Sequence, residues 1–132
     1  MLRSVGAVVA GFVTMMVVVM IGTLAATAAF VPGGVRASMS ATAGPLPASY
    51  LAANLLVSFL GAATGGAMAA RLAPTSPWMH VAGLAALLLV LAVPSALRGS
   101  SPGQPGWYPW VIGLIGMGGV VVGAAIAGRR AA

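Results

Sequence analysis

The sequence predicts an all-helical integral membrane protein, a bundle of four transmembrane helices, and three observations carry the prediction. Of 132 residues, 61% are apolar and 5% charged, whereas a soluble domain devotes about a quarter of its residues to charge. Mean hydropathy is +1.09, which means more apolar surface than one small core can hide from water. Crossing a hydrocarbon layer about 30 Å thick takes a helix of about 20 apolar residues. Four arginine-free stretches meet that length.

The first span runs from Val5 to about Val31, the second from about Tyr50 to Ala70, the third from Trp78 to about Leu97 and the fourth from about Trp110 to Gly128. Prolines, glycines and arginines fill the breaks, as turn chemistry requires. Pro32, Gly33, Gly34, Arg36, Pro45 and Pro47 separate the first two spans. A tight turn from Arg71 to Pro77 follows the second, and Arg98, Pro102, Pro105 and Pro109 follow the third. The first apolar run exceeds the roughly 7–15 residues of a secretory signal core. It therefore reads as an uncleaved anchor, long enough to tilt. The whole chain, 1–132, reads as one membrane domain.

Orientation follows from arginine, which supplies all six charges. With a cytoplasmic N-terminus, Arg3, Arg71, Arg129 and Arg130 lie inside and Arg36 and Arg98 outside. That bias favours N-in and C-in. Tyr50, Trp107, Tyr108 and Trp110 then mark the outer interface and Trp78 the inner one. Arg71, Arg129 and Arg130 are expected to contact anionic lipid. Abundant Ala, Gly, Val and Arg without Lys points to a GC-rich bacterial genome, and so to the bacterial cytoplasmic (inner) membrane.

The two halves share landmarks. Val31-Pro32-Gly-Gly-Val35-Arg36 and Val93-Pro94-Ser-Ala-Leu97-Arg98 both read V-P-x-x-aliphatic-R. Gly61, Gly65, Ala69 and Arg71 recur in order and spacing as Gly119, Gly123, Ala127 and Arg129. This implies two parallel helical hairpins, units 1–72 and 73–132, related by a pseudo-two-fold along the membrane normal.

Lipid is as apolar as leucine, so helices associate through close backbone approach and interhelical hydrogen bonds. Asn54, Ser58, Gly61, Gly65 and Ala69 fall along one helical face, and Gly119, Gly123 and Ala127 repeat the device. These are the expected helix-packing residues. Asn54 is the strongest polar intruder in a span; its amide is expected to bond a neighbouring helix, the alternative being a pore or substrate ligand with Ser58 and Thr64 nearby.

Composition removes most chemistry. With no Asp, Glu, Lys or Cys, carboxylate metal sites, paired-carboxylate catalysis, thiol nucleophiles, disulfides and lysine Schiff bases are all excluded. No enzyme, cofactor or metal is expected. His80, beside Trp78, alone could titrate near neutral pH; resting among headgroups or bonding a loop carbonyl is the plain reading, a proton relay the sharper one. Ser76 stands close to it, but without a Gly-x-Ser-x-Gly elbow. Met15, Met16 and Met20 resemble the thioether pairs of copper importers only in spacing, and valine fills the positions between. Six scattered arginines make no patch for nucleic acid, despite a pI near 12.0.

Several segments carry a resemblance: the opening Val5-Gly6-Ala-Val-Val-Ala-Gly11, Gly65-Gly66-x-x-Ala69-Ala70-Arg71, the following His80, and Pro105-Gly-Trp107-Tyr108-x-Trp110 before a Gly-rich last helix ending at Arg129. The chain resembles small four-helix bacterial integral membrane proteins of unknown function. The resemblance implies the four-helix fold and no activity. That group often carries acidic residues near a Pro-rich stretch after its first helix, and this chain has none. Small multidrug exporters depend on a glutamate in the first helix, which is missing here. Dual-topology fluoride channels show balanced arginines and a phenylalanine-lined path, unlike this chain.

The expected role is therefore non-enzymatic: an accessory or scaffold subunit packing against a larger membrane complex or itself. The alternative is a small oligomeric transporter or channel for a small solute or ion. Expected partners are membrane lipids and other transmembrane subunits or further copies of the chain.

Overall fold

The computed structural model describes residues 2–38, 44–74, 76–101 and 103–129. Within them the chain is helical, without strands: α1 (Leu2–Phe30), a short α2 (Gly34–Ser38), α3 (Ala48–Leu72), α4 (Pro77–Leu97) and α5 (Tyr108–Arg129). The four long helices are apolar and long enough to cross a membrane, as in a multi-pass membrane protein. At 1.5 Å per residue, the 29 residues of α1 extend about 43 Å, more than a bilayer core needs.

Each boundary has a local cause. α1 ends at Phe30, where Val31 N–H still reaches the Thr27 carbonyl (3.1 Å) but Pro32 has no N–H to give. Gly33 and Gly34 then take φ of +80° and +63°, turning the chain into α2, a helical turn that the hydropathy pattern does not reveal. Pro47 precedes α3 and Pro77 opens α4, both at positions where a missing N–H leaves no bond unmade. Pro94 lies inside α4, one turn before its end, and Arg98 N–H bonds its carbonyl (3.1 Å). The two V-P landmarks thus do different work: one terminates a helix, the other stays within one.

α3 is the central element, flanked along its length by α1 and α5; α4 leans mainly on α5 and touches α3 and α1 lightly. The largest buried cluster is built mostly of small residues, with Ala62, Ala69, Ala70, Ala124 and Ala127 around Met15, Val81, Leu84 and Val120. A second cluster, near the α1–α3 and α4–α5 connections, gathers Ala26, Val31, Leu51, Tyr50 and Tyr108. Large apolar side chains instead cover the outside, among them Val5, Met79, Val90 and Leu114, each more than 60% exposed. That is the expected arrangement for a molecule solvated by hydrocarbon.

Both long connections meet at one end of the bundle. Leu46 N–H donates to the Gly103 carbonyl (2.9 Å), and a β-carbon on Gly103, whose φ is +78°, would stand 2.5 Å from the Gly44 carbonyl oxygen. Arg36 and Arg98 belong to this end. Arg3 and Arg71 belong to the other, where α1 starts, α3 ends and α5 ends.

Replacing Gly103 with Ala is expected to cost on the order of 1–2 kcal/mol, from the left-handed backbone and the lost approach to Gly44. Gly106→Ala should be nearly neutral, because a methyl there meets nothing within 4 Å. Thermal unfolding of the two variants in detergent compares them directly.

Candidate functional site

A polar network crosses the half of the bundle near the connections. Asn54 sits on the buried face of α3, 6% exposed. Thr23 of α1 donates its hydroxyl to Asn54 Oδ1 (2.7 Å), and Asn54 Nδ2 donates to the Tyr108 hydroxyl at the start of α5 (2.7 Å). One amide therefore ties three helices together. Around it, Ser58 donates to the Asn54 backbone carbonyl and Thr27 to the Thr23 carbonyl, each within its own helix. In hydrocarbon each of these groups needs such a partner.

The partners of Asn54 differ from the neighbours that its own helix provides. Thr64 bonds the Gly61 carbonyl of α3 (2.7 Å) and does not reach Asn54. Tyr108 lies among aromatic residues that composition assigns to the interface, yet it is 2% exposed, while its neighbours Trp107 and Trp110 are about half exposed. Tyr50 is buried as well. The available signal was chemical: a tyrosine hydroxyl can satisfy a buried amide as readily as a headgroup.

The small residues set the helix distances. A β-carbon on Gly65 would lie 2.6 Å from the Gly11 carbonyl oxygen, and one on Gly11 2.7 Å from the Gly65 carbonyl oxygen. Gly61 faces Val19 and Met15 of α1, and Gly22 faces Val57 of α3. On the other side of α3, Gly66 abuts the Val120 backbone and Gly123 the Ala63 backbone, and a β-carbon on Gly119 would stand 2.6 Å from the Phe59 carbonyl oxygen. Ala69 and Ala127 are buried in the same cluster. The glycines matched by sequence spacing thus have different neighbours: Gly61 and Gly65 face α1, whereas Gly119 and Gly123 face α3.

His80 lies on the inward side of α4, 7% exposed. Its Nδ1 stands 3.3 Å from the Ser76 carbonyl, and its Nε2 is buried without a hydrogen-bond partner. Met15 is buried while Met16 and Met20 are more than half exposed, so the three thioethers do not converge. Arg71 is exposed in the last turn of α3, a favourable place for a cation at a helix C-terminus. Arg129 closes α5, its side chain outside the described residues, and Arg130 lies wholly outside them. Among the described residues no group of three or more His, Cys, Asp or Glu is placed to hold a metal.

Compared with protein-family models, curated proteins and solved structures, the chain matches none.

The network predicts a measurable coupling. Asn54→Leu and Tyr108→Phe should each destabilise the bundle, and their double-mutant cycle should return a coupling of about 0.5–1.7 kcal/mol, the range for interhelical hydrogen bonds in membranes. Reversible unfolding in mixed micelles, followed by tryptophan fluorescence, gives the four free energies needed.

Proposed function

We propose that this protein is a non-enzymatic membrane subunit that works by packing against another transmembrane protein or a second copy of itself, using the outward face of α5. One observation carries the reading. α5 has glycines on opposite sides: Gly119 and Gly123 are pressed against α3, whereas a β-carbon on Gly118 meets nothing within 4 Å. Gly118 is exposed and lies one turn from exposed Leu114 and Val122. Glycine inside a helix costs roughly 1 kcal/mol relative to alanine, and nothing within the bundle repays that at Gly118. A hollow between two bulky apolar residues fits the close approach of a partner helix.

The interior chemistry supports an interaction role. The amide of Asn54 and the hydroxyls of Thr23, Thr27 and Ser58 are engaged in bonds that hold helices or backbone, which leaves them poor ligands for a substrate. The recurring landmarks fit duplication of one helical hairpin whose copies have taken different neighbours. The shared end of Arg3, Arg71 and Arg129 fits a cytoplasmic placement of both termini, in a bacterial cytoplasmic membrane.

Gly118→Leu should leave the bundle folded yet strip away whatever co-purifies in mild detergent, while Gly123→Leu, which drives a side chain into the Ala63 backbone, should unfold it. Retention of the same companions by a folded Gly118→Leu protein sinks the proposal. So would a solute flux in liposomes that disappears with Asn54→Ala while the fold persists.

Orientation has its own test. The chain lacks cysteine, so single cysteines at Ser76 and Ser101 can be labelled one at a time in intact cells with an impermeant thiol reagent. Labelling is expected at position 101 and not at position 76.

A further inference from the structure

α1 and α4 start at the same end of the bundle and run side by side, but they approach closely near one point. There, Val8 Cγ2 lies 3.6 Å from where a β-carbon on Gly83 would stand. Two pockets lie in series along this seam. The first, about 560 Å³, is at the arginine-rich end, walled by Ser4, Val5 and Val8 of α1 and by Ser76 and His80 at the start of α4. The second, about 340 Å³, lies farther along, between Phe12 and Val19 of α1 and Leu88 and Leu91 of α4, with Gly116 of α5 in its wall. Hydroxyls and an imidazole border the first. The second is apolar apart from Ser58, whose hydroxyl is already bonded within α3, and Ser95.

The first pocket is mostly apolar, with Val9 and Met79 also in its wall, but its polar edge has an unmet requirement. His80 is more than nine-tenths buried, and with Nδ1–H donating to the Ser76 carbonyl, Nε2 is left as an acceptor with no donor. Ser76 caps α4 without a side-chain hydrogen bond; Pro77 brings no N–H and Met79 N–H already bonds the Ser76 carbonyl (2.9 Å), so the helix start offers an anion chiefly its dipole and the free Ser76 hydroxyl. The chain carries net charge +6 and no Asp or Glu, so no side chain of its own can supply negative charge there. A fitting ligand must offer anionic oxygens to the serine hydroxyls and helix end, a hydroxyl donor to Nε2, and a hydrocarbon chain for the second pocket.

We propose that the α1–α4 seam holds one anionic phospholipid with a hydroxyl-bearing headgroup, its phosphate at Ser4, Ser76 and the start of α4, and one acyl chain lying along Leu88, Leu91 and Gly116. This site is independent of the outward face of α5. It also differs from diffuse attraction to surface arginines, because two positions other than the arginines, His80 and Gly116, decide its occupancy.

The test is native mass spectrometry of protein reconstituted in equal amounts of phosphatidylglycerol and phosphatidylcholine. The wild type should retain one phosphatidylglycerol in preference to phosphatidylcholine. His80→Phe, which keeps an aromatic ring, slightly larger, and removes the acceptor, should lower that retention about tenfold, as expected for the loss of a buried polar contact. Gly116→Leu, whose β-carbon meets nothing within 4 Å, should fill the apolar pocket and lower retention similarly in a folded bundle; all six arginines remain in both variants. Equal retention of the two lipids, or wild-type retention by folded Gly116→Leu, overturns the proposal. Full displacement of the lipid by soluble glycerol phosphate would reduce the site to a headgroup subsite and overturn it as well. Disulfide capture of a second copy through a single cysteine at Leu91 would assign the seam to protein instead.

Discussion

Backbone-to-backbone proximity is the constraint on which this structure depends. In hydrocarbon a helix gains nothing by hiding leucine from lipid, so association must come from atoms brought closer than lipid chains can come. α3 achieves this on two sides at once. Gly61 and Gly65 admit α1, and Gly66, with Ala62 and Ala63, admits α5. Its central position follows directly: glycines on two faces of α3 bring the backbones of α1 and α5 close at once, whereas on α5 the glycines press on α3 and only Gly113 approaches α4, at the Ala92 side chain. The sparse core follows too, since helices this close leave room between them for alanine and little else.

Distance and register are set by different chemistry in different halves of the molecule. Glycine contacts such as Gly11 with Gly65 and Gly123 with Ala63 fix how near the helices come, but they tolerate sliding, because a smooth groove offers similar contacts at neighbouring positions. The Thr23–Asn54–Tyr108 bonds remove that freedom. An amide with its oxygen committed to α1 and its nitrogen to α5 can satisfy both at one axial setting. This accounts for a costly polar side chain in a span without assigning it a ligand, and for the depth of Tyr108, which must lie inside the bundle to reach it.

Much of the architecture was legible in the sequence because span length and hydropathy are coarse quantities that the bilayer itself imposes. The four long helices lie within a few residues of the apolar runs between arginines. What was not legible concerned direction. Spacing places Gly119 and Gly123 on one face but does not say that this face meets α3 when the matched Gly61 and Gly65 meet α1. Composition assigns Tyr108 to a headgroup belt, since an amphipathic ring is equally at home there and against a buried amide. His80 stands near a predicted boundary, but the inward turn of its ring goes with a left-handed Ser76 just before α4, a local geometry that residue types alone do not specify. The α2 turn leaves no mark in the hydropathy pattern because its five residues are too few for a periodic signal.

The open seam has the same origin as the closed core. α4 contains a single glycine, Gly83; its buried residues are His80, Val81, Leu84 and Ala96, with Leu88 partly buried and Leu91 half exposed along the seam. Leucine side chains hold a neighbouring helix off, and α1 meets α4 near Gly83 at no more than van der Waals distance, with Val8 Cγ2 3.6 Å from where a β-carbon would stand. Beyond that point the leucines keep the helices apart, and the gap has to be filled by something of the membrane. Sequence thus divides the bundle into a glycine-rich sector that excludes lipid and a leucine-rich sector that admits it. The polar foot of the admitting sector, formed by Ser4, Ser76 and His80, lies where an amphiphile oriented by the bilayer would present its headgroup. The same composition that makes α4 a weak partner for α1 makes the space between them a suitable place for a chain anchored at one end.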